Sequence, residues 1–399
     1  MLFKIKIPTT SGKRQKRRFQ SVFNYFYMSS PGDRLHGLDH LRAVAIVLVL
    51  LFHYNFYYGV PKWLDTFSSF GWSGVDLFFV LSGYLIADKL FRGFESQGRL
   101  DFSGFYLNRF LRIIPAYLAV VAIYFIFPVL QEGRGLQPLW RFLTFTQNIS
   151  IDMYRNTFSH AWSLCVEEHF YLLLPILLGL IFSRKKTNMA IYFFIAVAVS
   201  GVIIRYILWD TFVAPAFGRT RIMVALRHIY YPTYCRLDGL LVGVAIACIF
   251  NYRPAMKENL TKYGNWILAL SILLLIATYF LFGGSLVSQN FTTFTTAVFG
   301  FPLVSLSYGL MVISAISPNC VLYKYKFWPT ATLAAVSYSI YLSHKIIYHA
   351  AHTQLKYAFE PGGQQIFIIC LSAAFLCGLT LYLIVEKPFL ILRNKLNSC

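Results

Sequence analysis

The sequence is poor in charged residues, above all in acidic ones. Asp, Glu, Lys and Arg make up 13% of its 399 residues, with only 16 Asp and Glu, whereas an average soluble domain has about 25% charged residues. Hydrophobic residues reach 57% and aromatic residues 18%, which excludes a disordered chain and argues against a water-soluble core. Apolar stretches of roughly 20 residues, long enough to cross a bilayer, recur along the chain. The composition predicts an all-α, polytopic membrane protein.

Cysteine is scattered and never clustered. The seven cysteines form no CxxC motif and no Cys/His group, so neither a metal site nor a disulfide framework is predicted. Residues 1–18 are basic but lack an apolar core and a small-residue cleavage site, which predicts a retained cytoplasmic tail and not a signal peptide. The net charge of +20 lies mainly in this tail and in short loops, which indicates membrane orientation and no nucleic-acid partner.

Ten helical spans are predicted from the apolar windows and the residues that interrupt them. They cover residues 38–58, 71–91, 109–130, 160–182, 189–209, 233–251, 266–283, 292–316, 331–352 and 365–385. Lys and Arg concentrate in alternate loops, which predicts that both termini are cytoplasmic. We expect a basic tail at 1–36, one transmembrane domain at 37–386 and a cytoplasmic tail at 387–399.

The first span carries Asp39, Arg42 and His53. Ionisable side chains in a bilayer cost several kcal/mol unless paired or hydrated, so they are candidates for function. The spacing of Arg42 and His53 is about three helical turns, so they share one face and lie roughly 16 Å apart along the axis. They could line one channel. Alternatively, Arg42 reaches the inner headgroups and His53 bonds a neighbouring backbone.

The third and fourth spans add further charges. Arg109 and Arg112 lie three positions apart at the cytoplasmic end of the third span, where paired guanidinium groups suit a phosphate-rich ligand or simply anchor the helix. Glu167 and Glu168 are adjacent in the fourth span. Their side chains point about 100° apart, so at most one is expected to face a central cavity fully. Two carboxylates in one span predict a functional role for at least one of them.

The second, sixth and ninth spans complete the set of channel-lining candidates. The second contributes Asp76 and Ser82, and the ninth contributes His344. Arg236 and Asp238 lie in the sixth span, where they either line the channel or pair with charges on other helices and serve the architecture alone.

Seven motifs, in order, resemble the membrane acyltransferase 3 family, whose multi-span members O-acylate cell-surface carbohydrates. They are LDHLRAVAIVLVLLFHY, GVDLFFVLSGYLI, RFLRIIPAY, WSLCVEEHFYLLLP, RLDGLLVG, SYSIYLSHK and VEKPF. The resemblance implies required roles for Arg42 with His53 and for Arg109 with Arg112. It also matches the family's glutamate to Glu167 and Glu168, and its aspartate to Asp76.

Two positions depart from the family pattern. His40 stands where the family has glycine, and His169 stands where it has glutamine. Both are expected to place extra imidazole groups near the channel and to affect the choice of acceptor. Many members carry an esterase-like domain after the spans. This sequence ends at residue 399, so the resemblance implies the form of the enzyme that works without that domain.

The residues and the resemblance together predict an O-acyltransferase. Acyl-CoA, most simply acetyl-CoA, is expected to bind from the cytoplasm with its phosphates on Arg109 and Arg112 and its pantetheine arm running from Arg42 to His53. The acceptor would be a hydroxyl of an extracytoplasmic carbohydrate, such as O-antigen, another surface polysaccharide or peptidoglycan. The expected location is the bacterial inner membrane, with its lipids as the remaining partner.

His53 is the predicted catalytic centre. It would act as a general base on the acceptor hydroxyl or carry the acyl group as a nucleophile. Glu167 or Glu168 would orient its ring, as a carboxylate does in a triad, and Asp39 is a further catalytic candidate. Two alternatives stay open. A transporter also places charges in its spans, although no inverted repeat is visible, and a lipid-binding assembly protein would do no chemistry.

Overall fold

The computed structural model of the chain describes residues 35–183, 187–286, 288–360 and 362–397. Within these residues the secondary structure is helical and includes no β-strand, which confirms the predicted all-α class. Residues 1–34 of the predicted N-terminal tail and residues 398–399 of the predicted C-terminal tail lie outside the described residues. Ten helices have 15 or more residues: α1 (His36–Tyr58), α2 (Gly74–Gln97), α3 (Phe102–Ile126), α4 (Trp162–Ser183), α5 (Thr187–Leu208), α6 (Asp238–Tyr252), α7 (Gly264–Leu281), α8 (Phe301–Ala315), α9 (Trp328–Leu355) and α10 (Gln364–Leu381).

Each predicted span overlaps one of these ten helices. By length and apolarity, seven helical stretches of the described chain are candidate membrane spans, or up to nine if each of two bent helix pairs counts as one. α9 is not among them, since its serine, tyrosine and histidine side chains lower its hydropathy. The chain is therefore a multi-pass membrane protein, while the count of ten spans and the side of the termini stay predictions.

Most of the predicted C-terminal tail is described, and its residues 387–396 form a helix. A turn of π-helix at Tyr382–Glu386 continues α10 into a helix at Lys387–Leu396, which we call the C-terminal helix. It packs against α3 and buries Leu390. This packing places Arg393 beside the charged residues of α3, which the sequence alone did not indicate.

α2 packs against α1, α4, α6 and α8 near the middle of the bundle. Glycines allow its backbone to approach α6. A β-carbon at Gly83 would lie 2.1 Å from the carbonyl oxygen of Leu240, and one at Gly243 would lie 2.3 Å from that of Val80. Small residues permit such close crossings, on which helix association in a bilayer depends. The crossing fixes which face of α2 is turned toward α3 and α4.

Two buried ion pairs link the helices around α6. Asp76 of α2 accepts a 2.7 Å hydrogen bond from Arg236. Arg205 of α5 contacts both carboxylate oxygens of Asp238, at 2.7 and 3.1 Å. Asp76, Arg236 and Asp238 line neither of the cavities described below. The structure therefore favours the architectural alternative for these residues: each charge has a partner on another segment, and the pairs join helices.

Candidate active site

A cavity of about 270 Å³ lies among α1, α2, α3, α4, α9 and the C-terminal helix. Five of the side chains that line it are cationic and one is a carboxylate. We call it the arginine cavity; its charged residues are Arg42, Lys89, Arg109, Arg112, Arg393 and Glu167. Because positive charge predominates in the lining, the cavity suits an anionic ligand.

The arginines that α1 and α3 contribute to this cavity differ from the paired arginines around α6. In the part of the chain that the structure describes, no ion pair involves Arg42, Arg109 or Arg112. Arg109 stacks over the ring of Tyr171, with 4.9 Å between Cζ and the ring centroid. Guanidinium groups that form no ion pair are available to an incoming anion, and their planar geometry matches phosphate oxygens.

A second cavity, of about 80 Å³, lies along the C-terminal half of α1. We call it the histidine cavity, because His53 and His160 line it. The remaining lining is mainly aromatic: Phe52, Phe56, Tyr57, Trp162, Tyr230 and Tyr231. Aromatic walls with a few polar groups are typical of sites that bind small organic molecules. The shared face of α1 thus presents Arg42 to one cavity and His53 to the other.

Three imidazole rings meet beside the histidine cavity. His53 comes from α1, His160 from the turn before α4 and His344 from α9. The ring centroids of His53 and His344 are 4.9 Å apart, and those of His160 and His344 are 4.8 Å apart. His344 and His160 are almost completely buried. The ring nitrogens of His160 make no hydrogen bond of good geometry within the described residues.

The atoms around the rings assign the hydrogens of His344 and His53. His344 Nδ1 lies 3.2 Å and 2.8 Å from the carbonyl oxygens of Ile340 and Tyr341, so it carries the hydrogen and leaves Nε2 as an acceptor. His53 Nδ1 lies 3.1 Å from that Nε2 and 3.1 Å from the carbonyl oxygen of Val49, so it is the donor. The lone pair of His53 is therefore on Nε2, as a general base or nucleophile requires.

A buried ion pair adjoins this imidazole cluster. Lys345, next to His344 on α9, lies 2.9 Å from Glu132 of the loop after α3, and both side chains are 2% exposed. Lys345 also donates to Ser159 at 3.2 Å. Burial alone would raise the pKa of Glu132, but the charge of Lys345 and the hydrogen bonds to the carboxylate together hold that pKa below its ordinary value. Glu132 is therefore ionised, and the pair ties the loop to the bundle.

A thin polar layer separates the two cavities. Ser163 and Tyr341 line the arginine cavity, while His160 and Trp162 line the histidine cavity. The Tyr341 hydroxyl donates to the backbone oxygen of His160 at 2.7 Å and lies 2.6 Å from the Ser163 hydroxyl. Because Tyr341 has one hydrogen, Ser163 is the donor of the second bond. The two hydrogen bonds thus link the wall of the arginine cavity to the wall of the histidine cavity.

The comparison with known sequences agrees with this geometry. The acyltransferase domain of the acyltransferase 3 family matches residues 35–384. The chain belongs to this family. It is 28% identical over 340 residues to "O-acetyltransferase OatA" of Staphylococcus aureus strain NCTC 8325, covering 78% of this chain and 50% of that protein.

A second relative, "Putative O-acetyltransferase SACOL0978" of Staphylococcus aureus strain COL, is 24% identical over 378 residues, covering 88% of this chain and 57% of that protein. The chain thus spans about half the length of the curated relatives it matches. No solved structure matches it. The family resemblance inferred from the motifs is confirmed, and the roles of its residues in this chain rest on the site geometry.

The family's acidic positions lie apart from His53. Glu167 lines the arginine cavity and accepts a 2.8 Å hydrogen bond from Ser82. Glu168 lines neither cavity, as the 100° between adjacent helical residues leads one to expect. The idea that one of them orients His53 does not fit, because His344 is the group beside His53 Nδ1. Asp39 is buried and also lines neither cavity.

The two histidines that depart from the family pattern lie elsewhere. His40 contacts the Thr330 hydroxyl at 2.6 Å and the Tyr325 carbonyl oxygen at 2.8 Å. His169 contacts the Thr233 hydroxyl at 2.8 Å. Neither of them lines the arginine cavity or the histidine cavity, and an effect of either on the choice of acceptor stays a prediction.

Several site residues were missed by reasoning from the sequence. Lys89 and Arg393 look like ordinary basic residues near the ends of spans, and Glu132 like an ordinary loop carboxylate. Lys345 follows His344 directly, and a lysine inside a span was a signal that it has a buried partner. His160 stands two residues before the tryptophan of a family motif, but nothing local indicates that it meets the other two imidazole rings.

Proposed function

We propose that the chain is an O-acyltransferase that moves an acyl group, most simply acetyl, from acyl-CoA in the arginine cavity to a carbohydrate hydroxyl in the histidine cavity. One observation carries the proposal. A single helix presents Arg42 to a cationic cavity and His53, with the lone pair on Nε2, to a second cavity. A donor and an acceptor from opposite sides of a membrane need two such sites with a reactive group between them.

The arginine cavity fits the donor. Acyl-CoA carries a diphosphate, which the guanidinium groups of Arg109 and Arg112 can bind from one turn of α3. Arg42 lies on the path toward His53 and can contact the arm that bears the thioester. The distribution of Lys and Arg among the loops supports a cytoplasmic position for this cavity, and the proposed location of the protein is a bacterial inner membrane, whose cytoplasmic side has access to acyl-CoA.

The histidine cavity fits the acceptor. Its tryptophan and tyrosine side chains offer flat apolar faces and polar edges, which can hold a sugar ring while leaving a hydroxyl near His53. The small volume of about 80 Å³ admits only part of a sugar, so the rest of the carbohydrate chain stays outside. A surface polysaccharide or another extracytoplasmic glycan is therefore the proposed acceptor class.

His53 provides the chemistry. Nε2 takes the proton of the acceptor hydroxyl as the hydroxyl oxygen forms a bond to the thioester carbonyl carbon. The carbon–sulfur bond then breaks, and the imidazolium returns the proton to the departing sulfur. The products are the ester and the CoA thiol, and His53 is regenerated. His344 accepts the Nδ1 hydrogen bond throughout, so it fixes the ring and stabilises the positive charge, the task a carboxylate has in a triad.

The layer of Ser163 and Tyr341 stands between donor and acceptor. The thioester end must cross it, so part of the layer moves during each reaction cycle. While the layer is closed, the donor is shielded from the aqueous side of the acceptor, which limits wasteful hydrolysis.

The test uses the full chain purified in a neutral detergent. Acetyl-CoA binding is measured by calorimetry, and slow release of CoA without acceptor is followed by chromatography. His53→Gln should retain binding and lose roughly 10²- to 10⁴-fold in CoA release, the range for loss of a general base. Arg112→Gln should weaken binding roughly 10-fold or more.

His169→Gln is the matched control, because His169 is a half-buried histidine outside both cavities. It should change neither binding nor release. Absence of acetyl-CoA binding by the native chain would contradict the donor site. Native CoA release in His53→Gln would remove His53 from the chemistry.

A further inference from the structure

Two cations at the mouth of the arginine cavity are not used by the mechanism above. Lys89 is exposed near the end of α2, and Arg393 is half-buried on the C-terminal helix. Both line the cavity together with Arg109 and Arg112. Lys89 lies within electrostatic reach of Arg109 and Arg393, and Arg393 lies within reach of Arg109 and Arg112. Four positive charges therefore face one another at this end of the cavity.

The carboxylates near this group already have other partners. Asp88 bonds Arg92 and Asn251. Asp101 accepts a hydrogen bond from the Gly104 amide and caps α3. Glu386 accepts a 2.6 Å hydrogen bond from a serine of α9 and lies within electrostatic reach of Arg112 and Arg393. Because the four cations outnumber these carboxylates, the mouth of the cavity keeps an excess of positive charge.

Within the described residues, neither Lys89 nor Arg393 forms an ion pair. Arg393 donates hydrogen bonds from Nε and one terminal nitrogen to the Asn394 side chain. These bonds orient the guanidinium plane and leave the other terminal nitrogen available to a ligand. Like charges in excess over the nearby carboxylates repel one another, and the repulsion falls when an anion binds between them.

We propose that Lys89 and Arg393 form a subsite for a phosphate monoester, the 3′-phosphate on the ribose of acyl-CoA. This inference rests on the proposed donor. CoA carries its negative charge in two places, a diphosphate and this monoester, and the cavity has two pairs of cations. Arg109 and Arg112 of α3 serve the diphosphate, so the pair at the mouth remains for the monoester. A monoester carries about −1.5 to −2 charges at neutral pH, which two cations balance.

The size of the cavity supports this assignment. A volume of about 270 Å³ is at or below the lower limit for sites that enclose a drug-sized ligand, which is roughly 300 Å³, and CoA is larger than such a ligand. The cavity can therefore enclose the narrow arm, while the nucleotide end stays at the mouth. Lys89 is the exposed cation of the described lining, and Arg393 of the C-terminal helix lies within electrostatic reach of it.

The experiment compares CoA with dephospho-CoA, which differs only in lacking the 3′-phosphate. Calorimetry on the full chain in neutral detergent should give roughly tenfold tighter binding of CoA. Arg393→Gln should weaken CoA binding to the level of dephospho-CoA and leave dephospho-CoA binding unchanged. Lys89→Gln should do the same in part. Arg99→Gln is the control, because Arg99 is exposed, follows the end of α2 and is outside the cavity.

The outcomes separate the subsite from the donor site. Equal binding of CoA and dephospho-CoA by the native chain would overturn the subsite while leaving the donor proposal intact. Absence of binding of either compound would overturn both. If these cations instead hold a lipid phosphate, Arg393→Gln would reduce binding of phosphatidylglycerol added to the micelles and leave the preference for CoA unchanged, which would also overturn the subsite.

Discussion

Replacing His344 by phenylalanine removes the acceptor that faces His53 Nδ1 while keeping a flat ring of similar size. The side chain is completely buried, so a ring is needed to fill the space. In the native protein, His53 Nδ1 has two acceptors, His344 Nε2 and the Val49 carbonyl oxygen, each at 3.1 Å. His344→Phe therefore leaves one acceptor, and the Nδ1 hydrogen stays in place.

The effect should appear when His53 becomes positively charged. A hydrogen bond to a charged group contributes about 1.5 to 3 kcal/mol, and since Val49 remains, the lower part of that range applies. A loss of about 1.5 to 2 kcal/mol corresponds to a roughly 10- to 30-fold fall in kcat. The KM for acetyl-CoA should not change, because His344 does not line the arginine cavity.

The assay is the initial rate of CoA release over a range of acetyl-CoA concentrations, with melting temperature as a check on folding. His344→Gln can place an amide oxygen near His53 and should recover part of the lost rate. His169→Phe introduces the same ring outside both cavities and should behave as the native chain does. A native kcat in folded His344→Phe would refute the reasoning, and so would a fall of equal size in His344→Gln.

Three further predictions concern stability and orientation. Glu132→Gln leaves the buried ammonium of Lys345 without its partner and should cost about 3 to 5 kcal/mol of stability, measured as a lower melting temperature than that of the native chain. The pKa of Glu132 is held below its ordinary 4.5 in the folded protein. The ion pair therefore stabilises the fold fully above pH 4.5 and less as the pH falls below it. Glu132→Gln should lack this part of the pH dependence of the melting temperature. In a chain freed of native cysteines, a cysteine at Lys257 should be shielded in intact cells from an impermeant thiol reagent and one at Tyr357 should react, and the opposite pattern would exchange the donor and acceptor sides.

The sequence was sufficient to predict the class of fold and which charged side chains share one face of a helix. Hydropathy along the chain and the 3.6-residue period are local properties, so they place Arg42 and His53 on one face of α1 whatever the rest of the chain does. The same local logic held for Glu167 and Glu168, of which only Glu167 lines a cavity. The family's motifs were also readable, because they are contiguous runs of residues.

Which charges are paired was decided by the tertiary structure. Arg236 looked as functional as Arg112 in the sequence, yet Arg236 bonds Asp76, which lies 160 positions away, and Arg112 has no ion-pair partner among the described residues. The difference depends on how closely α2 and α6 approach, which shape and small residues determine. The residues next to each arginine in the chain do not indicate whether that arginine is paired.

The imidazole cluster is the clearest case of this kind. His53 and His344 lie 291 positions apart, and the residues next to each of them in the chain do not indicate that the two rings meet. The sequence predicted that both histidines lie in membrane spans, where an imidazole needs a polar partner. Only the packing of α9 against α1 brings the two histidines together. Side chains far apart in the chain meet where the surfaces of two helices are complementary. Hydropathy and helical period describe single helices, so they do not predict which helix surfaces meet.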